Sequence, residues 1–252
     1  MTKFILIASG KGGAGKTSCT INLASALSYF NKDVILVDAN LNNPNLSLNL
    51  GLINTSRNMQ DVLLGKYHIL ESLYHLPSGL RIAPLSISTS YIGKTNFNNL
   101  KKSLYGLDGL TDYVLIDAPS GNNYETIHLI NSVDEIIIVV NPETSCLTDA
   151  LKTIRIANYY EKPIKGIIIN KASQNDFFTE ADIKLLLKND ILGIIHNDDN
   201  LKLSNHYKDS IVNLYPFSQS SLDFKKLASN LVNEYYEVES HKKSFFSKIF
   251  RK

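Results

Sequence analysis

The amino-acid sequence predicts an α/β fold: a mostly parallel central sheet flanked by helices, with a C-terminal amphipathic tail. Two patterns predict it. Seven short strand-length runs recur, most of them apolar at consecutive positions instead of alternating, which marks strands buried on both faces. Between several of them lie stretches of helical length and spacing, and strand–helix–strand repetition means α/β. Composition agrees. Of 252 residues, 44% are hydrophobic and 20% charged, which excludes extended disorder and a fibrous design and supplies enough apolar surface for one sizeable core.

The strands are expected at Phe4–Ala8, Val34–Val37, Leu80–Ala83, Tyr113–Ile116, Ile136–Val140, Ile164–Ile169 and Ile191–Ile195. The helices are expected at Ser18–Phe30, Cys146–Tyr159, Thr179–Lys188 and Ser221–Tyr236, and the polar tracts Asn40–Asn49 and Ser86–Tyr91 read as long loops. There is no solenoid repeat and no low-complexity linker. The economical division is a domain over residues 1–240 and a tail over 241–252. Five apolar residues at the start are too few for a signal peptide, and no apolar run is long enough to span a bilayer. With only Cys19 and Cys146, a disulfide framework is not expected. The cytosol is the default compartment.

The first expected strand runs into Gly10-Lys11-Gly12-Gly13-Ala14-Gly15-Lys16-Thr17, which fits G-x-x-x-x-G-K-[ST]. Glycines let several backbone N–H groups converge on one point, and the following helix adds its positive end. This makes residues 1–240 a P-loop NTPase domain with ATP and Mg²⁺ as expected ligands. Gly12, Gly13, Ala14, Gly15, Lys16, Thr17 and Ser18 are the ATP-binding candidates; Lys16 is expected at the β- and γ-phosphates and the Thr17 hydroxyl on the metal. The alternative is a glycine-rich turn before a helix. Lys11 is a second lysine inside the loop. It would repel Lys16 unless it points out of its own site, and from there it could reach the nucleotide of a second subunit.

Two acids sit at the ends of buried strands, the edge where α/β sheets bind ligands. Asp38 closes Val34–Val37, and Asp117 closes Val114-Leu115-Ile116 with Gly121 four residues on. Asp117 is the candidate Walker B carboxylate, holding Mg²⁺ through water, and Gly121 the switch II glycine. Asp38 is a candidate for metal-bound water or for the attacking water. Each acid could instead cap the turn that follows it.

The segment Lys11 to Thr17 resembles the deviant Walker A motif K-G-G-x-G-K-T of the ParA/MinD ATPases. The resemblance extends over nearly the whole chain, through Val37-Asp38-Ala39-Asn40-Leu41, Asn42-Asn43-Pro44-Asn45-Leu46, Asn141-Pro142-Glu143-Thr144-Ser145, Thr148–Lys152 and Ile167-Ile168-Ile169-Asn170-Lys171, and is nearest to archaeal MinD-like proteins. It implies an ATP-bound homodimer in which Lys11 crosses to the partner's nucleotide, with Lys11, Lys16, Asp38 and Asn40 as the catalytic set and Asn170 at the adenine edge. Many relatives carry a second Asp where this chain has Asn40. An amide can hydrogen-bond water but cannot accept a proton at neutral pH, so the expected ATPase is slow.

The net charge is +2, of which residues 241–252 (HKKSFFSKIFRK) contribute +5, so residues 1–240 carry −3. At helical spacing Phe245, Phe246, Ile249 and Phe250 cover an arc of about 140°, with Lys248 and Arg251 on the polar side. Such a segment suits the surface of an anionic membrane; the alternative is a terminal helix docked on the body. Two tails on one dimer bind with avidity, so ATP-driven dimerisation would control membrane residence, as the resemblance implies. The expected location is cytoplasmic, peripheral on the inner face of the cell membrane, with an activator or cargo protein that the sequence does not identify.

A ParA-type DNA-segregation ATPase needs a basic body, and −3 opposes it. A tyrosine kinase built on this loop would end in a tyrosine cluster, and the C-terminal region offers only Tyr235-Tyr236. An iron–sulfur carrier needs paired cysteines, and Cys19 and Cys146 are isolated.

Overall fold

The computed structural model describes residues 1–53, 55–91 and 97–237. The whole membrane-tail set, Phe245, Phe246, Lys248, Ile249, Phe250 and Arg251, lies outside the described residues.

In chain order the elements are β1 (Lys3–Ala8), α1 (Lys16–Tyr29), β2 (Val34–Asp38), α2 (Asn45–Asn49), α3 (Met59–Leu63), β3 (Tyr74–His75), β4 (Arg81–Ala83), α4 (Leu100–Tyr105), β5 (Tyr113–Asp117), α5 (Tyr124–Ser132), β6 (Glu135–Val140), α6 (Thr144–Tyr159), β7 (Ile164–Ala172), α7 (Glu180–Leu187), β8 (Ile191–His196), α8 (Asn200–His206), α9 (Ile211–Leu214) and α10 (Gln219–Val232). The strands form one eight-stranded sheet ordered β3-β4-β2-β5-β1-β6-β7-β8. All pairings are parallel except β3 with β4.

The consecutive apolar runs are the inner strands. Ile5, Leu6, Ile7, Leu115, Ile116, Ile137 and Val139 are fully buried, with helices over both faces. Helices α1, α9 and α10 pack together on one side, with α4 against α5 and α6 against α7 on the other, as right-handed crossovers require. From β1 the chain moves toward β2, whereas from β5 it crosses β1 to reach β6, so the direction reverses around β1. In such sheets ligands bind at that reversal, beyond the carboxyl ends of the strands. The segment there is Gly10–Thr17.

Three expectations are corrected. The tract Asn40–Asn49 is not all loop: Asn45–Asn49 is α2, and Ser86–Tyr91 holds a 3₁₀ turn at Thr89–Tyr91. The last helix ends at Val232, not Tyr236, because Asn233 takes φ 55 and turns the chain out. Tyr236 then packs edge-on against Phe30 and Tyr29, while Tyr235 is exposed. Strand β3 and helices α3, α4, α5, α8 and α9 escaped the sequence reading; β3 has two residues and no pattern to detect, and the missed helices are short.

Candidate nucleotide site

The loop between β1 and α1 owes its curl to two glycines. Gly13 at φ 80 and Gly15 at φ 96 adopt the left-handed region that costs other residues a Cβ clash. At Gly15 an added Cβ would also press on the Asn170 side-chain amide, which would have to shift. At Gly13 the space where a Cβ would project is open.

Lys16 opens α1 and is 7% exposed. Its ammonium donates to Ser9 Oγ at 3.0 Å, and that hydroxyl donates to Lys11 O at 2.8 Å. Burial pulls the Lys16 pKa down, and the nearby Asp117 charge opposes the shift. The Thr17 hydroxyl donates to Asp117 Oδ2 at 2.6 Å.

Asp38 and Asp117 are register partners at the ends of β2 and β5, and both are fully buried. Burial, and then the charge of its neighbour, pushes Asp38 up to about 7. Burial pushes Asp117 up to about 6, against the Thr17 hydrogen bond and Lys16. Asp38 Oδ2 accepts from Ser47 N at 3.0 Å and Ser47 Oγ at 2.8 Å, so α2 is what holds it. Asp117 Oδ1 is buried and makes no well-formed hydrogen bond; the Thr20 hydroxyl beside it lowers the Asp117 pKa a little but directs its proton to Lys16 O at 2.9 Å.

Two buried carboxylates against one ammonium leave an excess of negative charge, and an orphaned acceptor is costly in a dry site. A hard divalent cation bound through oxygen relieves both. Thr17, Asp117 and Asp38 therefore fit Mg²⁺, and the glycine loop with Lys16 fits the phosphates it bridges.

Lys11 lies elsewhere. Its ammonium donates to Glu143 Oε2 at 2.9 Å and Ser145 Oγ at 2.8 Å, at the start of α6. The pair is exposed, with the Lys11 side chain 39% accessible, and the Glu143 hydrogen bond raises the Lys11 pKa. Asn40 Oδ1 accepts from Asn43 N at 3.3 Å, so that oxygen holds its own turn. Asn170 is buried, and its Nδ2 donates one N–H to Ala14 O at 2.8 Å, which leaves its second N–H and its amide oxygen for an adenine contact. Gly121, at φ 83, donates its N–H to Ser9 O at 3.4 Å.

Sequence reasoning missed the residues that hold these groups: Ser9, Ser47, and Glu143 and Ser145 as partners of Lys11. Ser9 had a signal, since it directly precedes the loop. Ser47 had none, because the tract around it reads as polar loop.

Fold and loop together are those of a P-loop NTPase domain. The ParA family model, described as NUBPL iron-transfer P-loop NTPase, matches residues 1–181. The chain belongs to the ParA family. It is 34% identical to an uncharacterised ATP-binding protein of Methanocaldococcus jannaschii, over 98% of this chain and 95% of that one. It is 28% identical to the septum site-determining protein MinD of Thermotoga maritima, over the full length of both. Among solved structures it is similar to MinD of Pyrococcus horikoshii in complex with Mg-ADP, with a TM-score of 0.86 and 32% identity over 92% of this chain and 96% of that one. It is also similar to the MinC:MinD complex of Aquifex aeolicus, at TM-score 0.84 and 28% identity over 95% and 99%. The fold is thus MinD-like. As for iron, both cysteines are buried, and the described residues contain no group of three or more His, Cys, Asp or Glu that could hold a metal.

Proposed function

We propose that the chain is a MinD-like ATP switch. It binds ATP and Mg²⁺, dimerises with the nucleotides between two subunits, and rests on an anionic membrane through its tail to position a partner protein. The observation that carries this reading is the divergence of the two loop lysines. Lys16 is sealed over the phosphate cradle, while Lys11 is held outside it by Glu143 and Ser145. A lysine that cannot serve its own phosphates is free to serve a second subunit's.

In this reading the loop N–H groups and Lys16 bind the phosphates, and Thr17 with Asp117 and Asp38 hold the metal. Bound Mg²⁺ supplies charge neutralisation for the phosphoryl oxygens. Asp38 orients water from a carboxylate fixed by Ser47. Asn40 brings no charge, and its Oδ1 is engaged in the turn, so hydrolysis is slow and acts as a timer on the bound state. Turnover on the order of 1–100 s⁻¹, the range of kinases, contradicts that.

Co-sedimentation with anionic liposomes tests the reading. The full chain is expected to pellet with ATP and not with ADP, and a chain ending at Ser240 with neither. Binding that ignores both nucleotide and truncation refutes the switch, and a DNA-binding assay follows.

A further inference from the structure

Six non-glycine residues take positive φ among those described: Asn31, Glu161, Lys171, Lys188, Lys208 and Asn233. Five of them close helices, where that conformation is the ordinary way to end one. Lys171, at φ 59, lies inside strand β7. The register with β8 slips between Asn170 and Ala172, so Lys171 is the extra residue of a bulge. A bulge re-aims a side chain, and a strained backbone conformation persists only where its surroundings hold it in place.

The bulge aims Lys171 at the phosphate loop. Its ammonium donates to Gly13 O at 2.8 Å. Next to it, Asn170 Nδ2 donates to Ala14 O at 2.8 Å. From the end of β6, Asn141, with its amide turned to satisfy both neighbours, donates to Ala14 O at 3.0 Å and Asn170 O at 3.2 Å. Two consecutive loop carbonyls are therefore drawn toward the ends of β6 and β7. In a planar trans peptide the N–H points opposite to its C=O. Holding Gly13 O and Ala14 O outward turns the N–H groups of Ala14 and Gly15 inward, toward the cradle.

We infer that Lys171 is a positioning residue of the nucleotide site: it fixes the peptide between Gly13 and Ala14 in the anion-binding orientation before ligand arrives. The inference rests on the nucleotide-binding reading above. It places a lysine with no assigned role in control of affinity for the phosphate part of the ligand, with no contact to the base.

The test is calorimetric titration of the full chain with Mg-ADP, pyrophosphate and adenosine, for wild type, K171M, K171G and K171R. K171M is expected to weaken Mg-ADP and pyrophosphate about tenfold, the size of one lost hydrogen bond to a charged donor, and to leave adenosine unmoved. K171R is expected to recover most of the loss. K171G separates strain from function: glycine adopts φ 59 without steric strain, which offsets its larger unfolded-state entropy, so its thermal midpoint holds near wild type while phosphate affinity falls as in K171M. In turnover, KM for ATP rises more than kcat falls. Wild-type affinity for both phosphate ligands in K171M overturns the inference alone, and so does a loss shared equally by adenosine. A wild-type chain that binds neither Mg-ADP nor pyrophosphate overturns the nucleotide reading, and the inference with it.

Discussion

The two ends of the phosphate loop carry the same side chain in opposite surroundings. Lys16 is buried at the start of α1, depressed in pKa by burial and tied to Ser9. Lys11, five residues earlier in the chain, is exposed and held by Glu143 and Ser145 on another element. A desolvated ammonium with spare bonding capacity is built for an anion. An ammonium in a solvated ion pair can exchange its partner at little cost. The difference lies in the elements beneath each lysine, and it gives one loop a buried lysine and an exposed one.

The largest expected effect breaks the inward end. K16M removes the buried charge while keeping much of the stem, and Mg-ADP affinity should fall on the order of a hundredfold or more. Calorimetry checks this; a loss of threefold or less would show that the loop does not bind phosphate through Lys16.

The next effect concerns the two buried acids at the ends of β2 and β5. Both carboxyls sit above the ordinary Asp value of 3.8, at about 6 for Asp117 and about 7 for Asp38. A raised folded-state pKa contributes stability that is complete below the unfolded pKa and is lost as pH rises through the folded value. Their contribution to the nucleotide-free chain therefore falls between about pH 4 and 7. A bound cation needs them ionised, so the gain in thermal midpoint from Mg-ADP over EDTA should grow across the same window. D117N removes one charge and keeps an acceptor for Thr17. It should stabilise the nucleotide-free chain at pH 8 by on the order of 1–3 kcal/mol and abolish the dependence of ADP binding on Mg²⁺. A Mg-ADP gain that shrinks with pH would count against these acids as the metal site.

The outward end gives a smaller effect on nucleotide and a distinct one on assembly. K11A should weaken Mg-ADP about threefold or less, since an exposed lysine in an ion pair adds little to a site it does not face. If the proposed ATP-dependent dimer forms, K11A should remove it, as light scattering would measure. If K11A matches K16M in nucleotide affinity, the two ends of the loop are not separate in function.

Much of this was legible in the sequence because the signals are local. Gly13, Gly15, Lys16 and Thr17 fall within one turn of chain after an apolar strand, and Asp38 and Asp117 each end a run that reads as buried. The expected strands all form, since short, mostly apolar runs bounded by turns suit a sheet covered on both faces. What escaped depends on contacts between distant segments. Lys11 meets Glu143 across 132 residues and Lys171 meets Gly13 across 158, and no periodicity encodes such pairings. Ser47 was hidden for a related reason: α2 is one turn long, too short for a helical pattern. Asn40 was read for its chemistry, and the structure adds that its amide oxygen already serves the local turn.

The smallest effect sharpens the outward end. Glu143 holds Lys11 within its own chain, so a lysine that crosses to a second subunit must first leave it. E143Q keeps a hydrogen-bond acceptor and removes the charge. Because the pair is exposed, the thermal midpoint should barely move. The ATP-dependent dimer should tighten, by less than tenfold, and the gain should shrink as salt screens the native pair. A dimer that instead weakens in E143Q would assign Glu143 to the interface, accepting from the lysine of the second subunit after the exchange. Either direction tells whether Glu143 competes with the dimer or belongs to it, and only competition makes the exposed Lys11–Glu143 pair a latch on the monomer.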